Sequence, residues 1–100
     1  MKLQDIAQVI RSKNAGPRCL TLDVMFARKE DFSRVVESEA LSRERIADLY
    51  GVPPERISLI EYPLANAIKI SMPRTITAGD PGDRDVYGAQ QHTPLLDISI

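Results

Sequence analysis

The stretch Ile57-Ser58-Leu59-Ile60-Glu61-Tyr62-Pro63-Leu64-Ala65-Asn66-Ala67-Ile68-Lys69-Ile70-Ser71-Met72 decides how this chain folds. Its first six residues are rich in β-formers and read as a strand. Pro63 cannot donate to a ladder and breaks it. Residues 65–72 then resume as a second strand. Ile68, Ile70 and Met72 face one way there, and Lys69 and Ser71 face the other. Two strands around a break at Pro63-Leu64 make a hairpin, the nucleus of a sheet.

Upstream of the hairpin the period changes. Phe32, Val35, Val36 and Glu39 lie at helical spacing and predict an amphipathic helix from about Glu30. A second helix is expected from Ser42, a good N-cap, with Leu41 and Ile46 at the positions of a hydrophobic staple. Ile46, Leu49 and Tyr50 form its stripe. Gly51 stops it and Pro53-Pro54 forbids extension. Before the helices, Cys19 to Ala27 reads as a strand, with Leu20, Leu22, Val24 and Phe26 on one face and Thr21, Asp23 and Met25 on the other. Leu3, Ile6, Ala7 and Ile10 fit a short helix, and a strand over residues 3–9 alternates less well. Arg11 to Pro17 reads as the loop that ends it. Downstream, Arg74 to Pro94 is a long polar run of the kind that compact domains keep for function. Leu96, Ile98 and Ile100 alternate with Asp97 and Ser99 as a closing strand.

The expected fold is α+β, a ferredoxin-like sandwich. It has an antiparallel or mixed sheet of about four strands, helices on one face and a short N-terminal helix. The 100 residues form one domain, 1–100. A net charge of −1 gives no electrostatic case for nucleic acid or an anionic membrane. No apolar run approaches the roughly 20 residues of a membrane span. Asp5 stands where a signal peptide would need apolar residues. The single Cys19 has no internal disulfide partner, so a reducing, cytoplasmic setting is the expectation. With no Trp, 3 Tyr and 2 Phe, a base-stacking surface is not expected. Residues 42–57 imitate the first half of a helix-turn-helix, but β-rich sequence follows where the recognition helix would stand.

Three polar groups carry candidate chemistry. Arg11-Ser12-Lys13-Asn14-Ala15-Gly16 gathers two cations, a hydroxyl, an amide and a flexible backbone. It can bind a carboxylate or phosphate, or simply be a solvated helix terminus. Asp80-Pro81-Gly82-Asp83-Arg84-Asp85 combines a tight turn with acids around an arginine. Its donor set is thin for a cation, so no metal is expected there. Arg84 can pair with the acids or reach a substrate carboxylate. Tyr87-Gly88-Ala89-Gln90-Gln91-His92 holds the sole histidine, and Tyr87 with His92 is a candidate acid–base pair. Gln90 and Gln91 can orient a polar ligand or anchor the loop. Asp23 is either solvated on an open sheet face or paired with Arg11, Lys13 or Arg84. Cys19, at the start of a strand with no histidine neighbour in sequence, reads as a packing residue.

Arg11-Ser12-Lys13-Asn14-Ala15-Gly16-Pro17, Leu20-Thr21-Leu22-Asp23 and Gly82-Asp83-Arg84-Asp85-Val86-Tyr87-Gly88-Ala89-Gln90-Gln91-His92 resemble a family of small bacterial proteins carrying a domain-of-unknown-function label. More distantly, the chain resembles the C-terminal ferredoxin-fold region of the acyclic terpene utilisation protein A family. Arg11-Ser12 with Lys13 and Gly16 is similar to that family's Arg-Ser-Gly-Asp-Lys-Gly loop, and Glu61-Tyr62-Pro63-Leu64 with Asn66-Ala67 to a second segment of it. Asn14 and Ala15 replace the acid of the loop. The resemblance implies a small subunit that docks on a larger acyclic terpene utilisation-type partner in organic-acid or acyl-CoA breakdown. The site residues come from motif chemistry. Arg11, Ser12, Lys13, Asn14, Gly16, Asp83, Arg84, Asp85, Gln90 and Gln91 are expected to bind a small anionic substrate, and Tyr87 and His92 to position or protonate it. No cofactor is expected. The alternatives are a self-sufficient lyase, isomerase or hydratase working as a homo-oligomer, and a module in which the motifs only staple the long segment to the sheet.

Overall fold

The computed structural model describes residues 1–16, 18–74 and 92–100. A four-stranded antiparallel sheet runs in the order β1-β2-β4-β3, with β1 Val9–Asn14, β2 Cys19–Met25, β3 Ser58–Tyr62 and β4 Ala67–Pro73. β3 and β4 are the hairpin read from the sequence. A 3-10 turn over Pro63–Ala65 joins them, and Asn66 takes the left-handed conformation (φ 50°) that closes it. β2 and β3 each pair antiparallel with β4, so they run parallel with β4 between them. Two helices, α2 (Lys29–Ser38) and α3 (Arg43–Tyr50), connect β2 to β3. This split β-α-β unit is the ferredoxin-like arrangement.

Local chemistry sets the helix ends where the sequence predicts them. The Arg45 amide donates to the Ser42 hydroxyl, 3.3 Å away, which satisfies one of the free donors at the start of α3. Leu41 and Ile46 both enter the core. Gly51 ends the helix at φ 68°, a left-handed conformation that a side chain would strain. At the other end of the pair, the rings of Phe26 and Phe32 meet edge-to-face at 6.3 Å, tying the start of α2 to the end of β2.

The core lies between one sheet face and the helices. Leu22 opposes Ile70 in register, and neither has any exposed surface. Leu20, Val24, Ile68 and Met72 complete that face, and Phe32, Val35, Ile46 and Ala47 cover it from α2 and α3. Each such aliphatic side chain contributes about 1.5–3 kcal/mol by leaving water.

Two expectations are corrected. The N-terminal helix, α1, spans only Leu3–Ile6, and Arg11 to Asn14 belong to strand β1 instead of a loop. Ser12 and Asn14 are polar residues on the core-facing side of β1, so the apolar/polar alternation that marks a strand is absent from its second half. The short turn after Asn14 brings β1 onto the free edge of β2, which would otherwise be exposed. The closing strand fails differently. Leu96, Ile98 and Ile100 are half-buried and Asp97 and Ser99 exposed, so the alternation is real. The segment pairs with the N-terminus and not with the sheet: Leu3 donates to the Ile98 carbonyl (2.8 Å) and Ile100 to that of Met1 (2.8 Å). β1 already occupies the edge of β2 where a closing strand would add.

Candidate functional site

No helix among the described residues covers the second face of the sheet, and its rows are set by the register. One row reads Arg11, Asp23, Lys69, Ile60, and the next reads Lys13, Thr21, Ser71, Ser58. Directly opposed side chains in such rows sit about 5 Å apart at Cβ. Arg11 Nε donates to Asp23 Oδ2 at 3.2 Å. The aspartate side chain is only 14% exposed, whereas that of Arg11 is 55% exposed. Asp23 thus has its own partner on this face, Lys69 opposes it from the other neighbouring strand, and Thr21 in the next row is fully buried, so the face is covered at its centre.

Period-two geometry divides the first sequence cluster. Arg11 and Lys13 point to the second face, where both are exposed, and Ser12 and Asn14 point to the core side, where Ser12 is buried. Gly16 supplies a turn at φ 111°, and the hairpin is closed by Ala15 donating to the Cys19 carbonyl (2.9 Å). Asn14 Oδ1 accepts from Arg74 Nη1 at 3.0 Å, and the Arg74 amide donates to the Arg18 carbonyl at 2.9 Å. These bonds tie the end of β4 to the β1–β2 turn and fix the backbone of Arg18.

At this braced end the second face holds a depression of about 300 Å³. Arg18 and Arg56 line it, together with the Cys19 thiol and the hydroxyl-bearing Ser58 and Ser71; Met72 and Pro73 complete the lining. No carboxylate of the described residues takes part. The volume is at the small end of ligand sites, which run from about 300 to 1,000 Å³. Most of the lining is apolar, and the arginines and serines on its rim are residue types that suit a carboxylate or phosphate, which arginine grips with paired hydrogen bonds. Arg18, Arg56, Ser58 and Ser71 escape a reading of the sequence because they come from three separate stretches and form no local motif. Cys19 sits at the strand start expected of it and lines the site as well.

His92 opens a 3-10 turn, Thr93–Leu95, that drops Leu95 into the core. Its Nδ1 is shut off from solvent and has no hydrogen-bond partner among the described residues. Buried polar atoms of this kind are rare and are often explained by a bound group or a catalytic role. Asp83, Arg84, Asp85, Tyr87, Gln90 and Gln91 lie outside the described residues. Among the described residues no cluster of His, Cys, Asp or Glu is fit to hold a metal ion, and no helix is long and apolar enough to cross a membrane.

A ferredoxin-like domain with a depression at one end of its second sheet face, lined in part by Arg18 and Arg56, is thus what the described residues build. The chain belongs to the DUF4387 family, a domain of unknown function, whose family model matches residues 3–99. Comparison with curated proteins and with solved structures gave no match.

Proposed function

We propose that this protein is a small accessory subunit that binds an anionic substrate and completes the active site of a larger partner. The observation that carries the reading is the depression lined by Arg18 and Arg56 together with Cys19, Ser58 and Ser71, with no carboxylate among the described lining residues. The chain as a whole is slightly acidic, at −1, so this local excess of cations is placed and not compositional. Lys13 stands in the same cross-strand row as Ser71 and Ser58 and adds a second positive rank. Arg11 is engaged by Asp23 and acts mainly to brace the sheet. The anion is the carboxylate of a short organic acid or the phosphate of an acyl-CoA. The similarity of the Arg11-to-Gly16 and Glu61-to-Ala67 segments to the acyclic terpene utilisation proteins supports a large protein of that type as the partner. A half-buried free thiol at Cys19 fits a reducing, cytoplasmic setting.

A second reading is favoured by the buried Nδ1 of His92, which has no partner among the described residues. In it the chain is a self-sufficient lyase, isomerase or hydratase, and His92 exchanges a proton with substrate in a homo-oligomer. Co-expression with the large protein separates the two. The accessory reading expects a stable complex, no turnover by the small chain alone, and a raised KM for the complex carrying Arg56→Gln. Turnover by the isolated chain that is lost in His92→Asn establishes the second reading instead.

A further inference from the structure

β3 is the weakly defended edge of this sheet. Among the described residues it hydrogen-bonds only to β4, so alternate residues of Ser58–Tyr62 turn their backbone N–H and C=O groups outward. The opposite edge, β1, carries the exposed cations Arg11 and Lys13, a common defence against added strands. β3 carries no proline and no lysine, and on its open-face side Ile60 and Tyr62 are 43% and 44% exposed. On its other side a groove of about 350 Å³ separates the strand from α2 and α3. Val36, Leu59 and Ile68 give the groove apolar walls, while Glu39, Glu44 and Glu61 stand against Arg43, the single cation among the described lining residues.

We propose that an extended segment of a partner protein adds to β3 as a fifth strand, and that this segment alternates basic with apolar residues. Backbone pairing supplies sequence-independent affinity, and the alternation supplies selection. Side chains on the groove side of the added strand meet apolar walls and three carboxylates, which calls for lysine or arginine there. Those on the other side lie beside Ile60 and Tyr62 and are apolar. The charge also decides against a second copy of this chain. Antiparallel self-pairing centred on Ile60 would bring two acidic grooves together and leave each Glu61 beside the acids of the other copy. The inference is independent of the anion reading, since no residue of this groove lines the cationic depression.

The test titrates two synthetic hexapeptides into the ¹⁵N-labelled full chain, one alternating lysine with valine and one alternating glutamate with valine. The basic peptide is expected to shift the Ser58–Tyr62 amides and slow their hydrogen exchange, and the acidic peptide to do neither. Glu61→Lys removes an attraction and adds a repulsion at an exposed position that the fold does not need. It is expected to weaken the basic peptide by about tenfold or more. Circular dichroism checks that the variant keeps its fold. Equal binding of both peptides, shifts confined to residues away from β3 and the groove, or indifference to Glu61→Lys would each overturn the proposal. So would a concentration-dependent dimer that itself protects the Ser58–Tyr62 amides, because a second copy would then be the occupant.

Discussion

Arg11 and Asp23 should respond unequally when each loses the other. The pair is 3.2 Å apart, with the arginine side chain 55% exposed and the aspartate 14% exposed. An ion pair open to water contributes about 0.2–1 kcal/mol, so the attraction alone is small. The difference lies in what each substitution leaves behind. In Asp23→Asn the amide oxygen can still accept from Arg11 Nε, and the exposed guanidinium keeps its water; the expected cost is at most about 1 kcal/mol. In Arg11→Ala a largely shielded carboxylate loses its hydrogen-bonded partner and, among the described residues, keeps Lys69 opposite. Orphaning a desolvated charged group costs more, and about 1–2 kcal/mol is expected after allowing for the lysine. For a domain of this size 1 kcal/mol moves Tm by roughly 4–8 °C. Urea and thermal denaturation of the two variants therefore give a clear ranking, with Arg11→Ala the less stable. Equal destabilisation, or a more damaging Asp23→Asn, would show that the buried environment of the carboxylate is not what makes the pair matter.

Other consequences are simpler to check. Leu95 is fully buried at the 3-10 turn that follows His92, so Leu95→Ala should cost about 2–5 kcal/mol in denaturant unfolding. A loss below about 1 kcal/mol would mean that the C-terminal segment is not part of the core. Burial pushes the Tyr50 phenol above its ordinary value. Its folded pKa is raised, so its contribution is fully present below the unfolded pKa of about 10 and declines as pH rises beyond it. Stability measured between pH 9 and 11.5 should fall more steeply in the native chain than in Tyr50→Phe, and identical slopes would contradict the assignment.

The central strands and both long helices are legible in the chain because their apolar residues keep strict periods. Leu20, Leu22 and Val24 recur at two, and Phe32 and Val35 at three. The caps of α3 are equally local, since Ser42 and Gly51 act within a turn of where they stand. β1 is not legible. Only Ile10 is apolar on the core-facing side of its regular span, Ser12 and Asn14 being polar, so its pairing with β2 is a tertiary fact. The alternation of Leu96, Ile98 and Ile100 is visible, but nothing local says that its hydrogen bonds go to Met1 and Leu3. For the site, Arg11 and Lys13 are found by composition and correctly share a face, while Ser12 and Asn14 are drawn in by proximity in sequence and turn away. Arg18, Arg56, Ser58 and Ser71 meet only because the register of β2, β4 and β3 brings the start of one strand beside the end of another.

The central claim is that Arg18 and Arg56 make an anion site at the hairpin end. Titration of the ¹⁵N-labelled chain with inorganic pyrophosphate tests it most directly, with Arg18→Gln and Arg56→Gln as controls. The account predicts saturable shifts at Cys19, Ser58 and Ser71, and a loss of affinity of about tenfold or more for either variant, the scale expected when one charged hydrogen-bond donor is removed. Shifts that track ionic strength alone, or affinities unchanged in both variants, would contradict it.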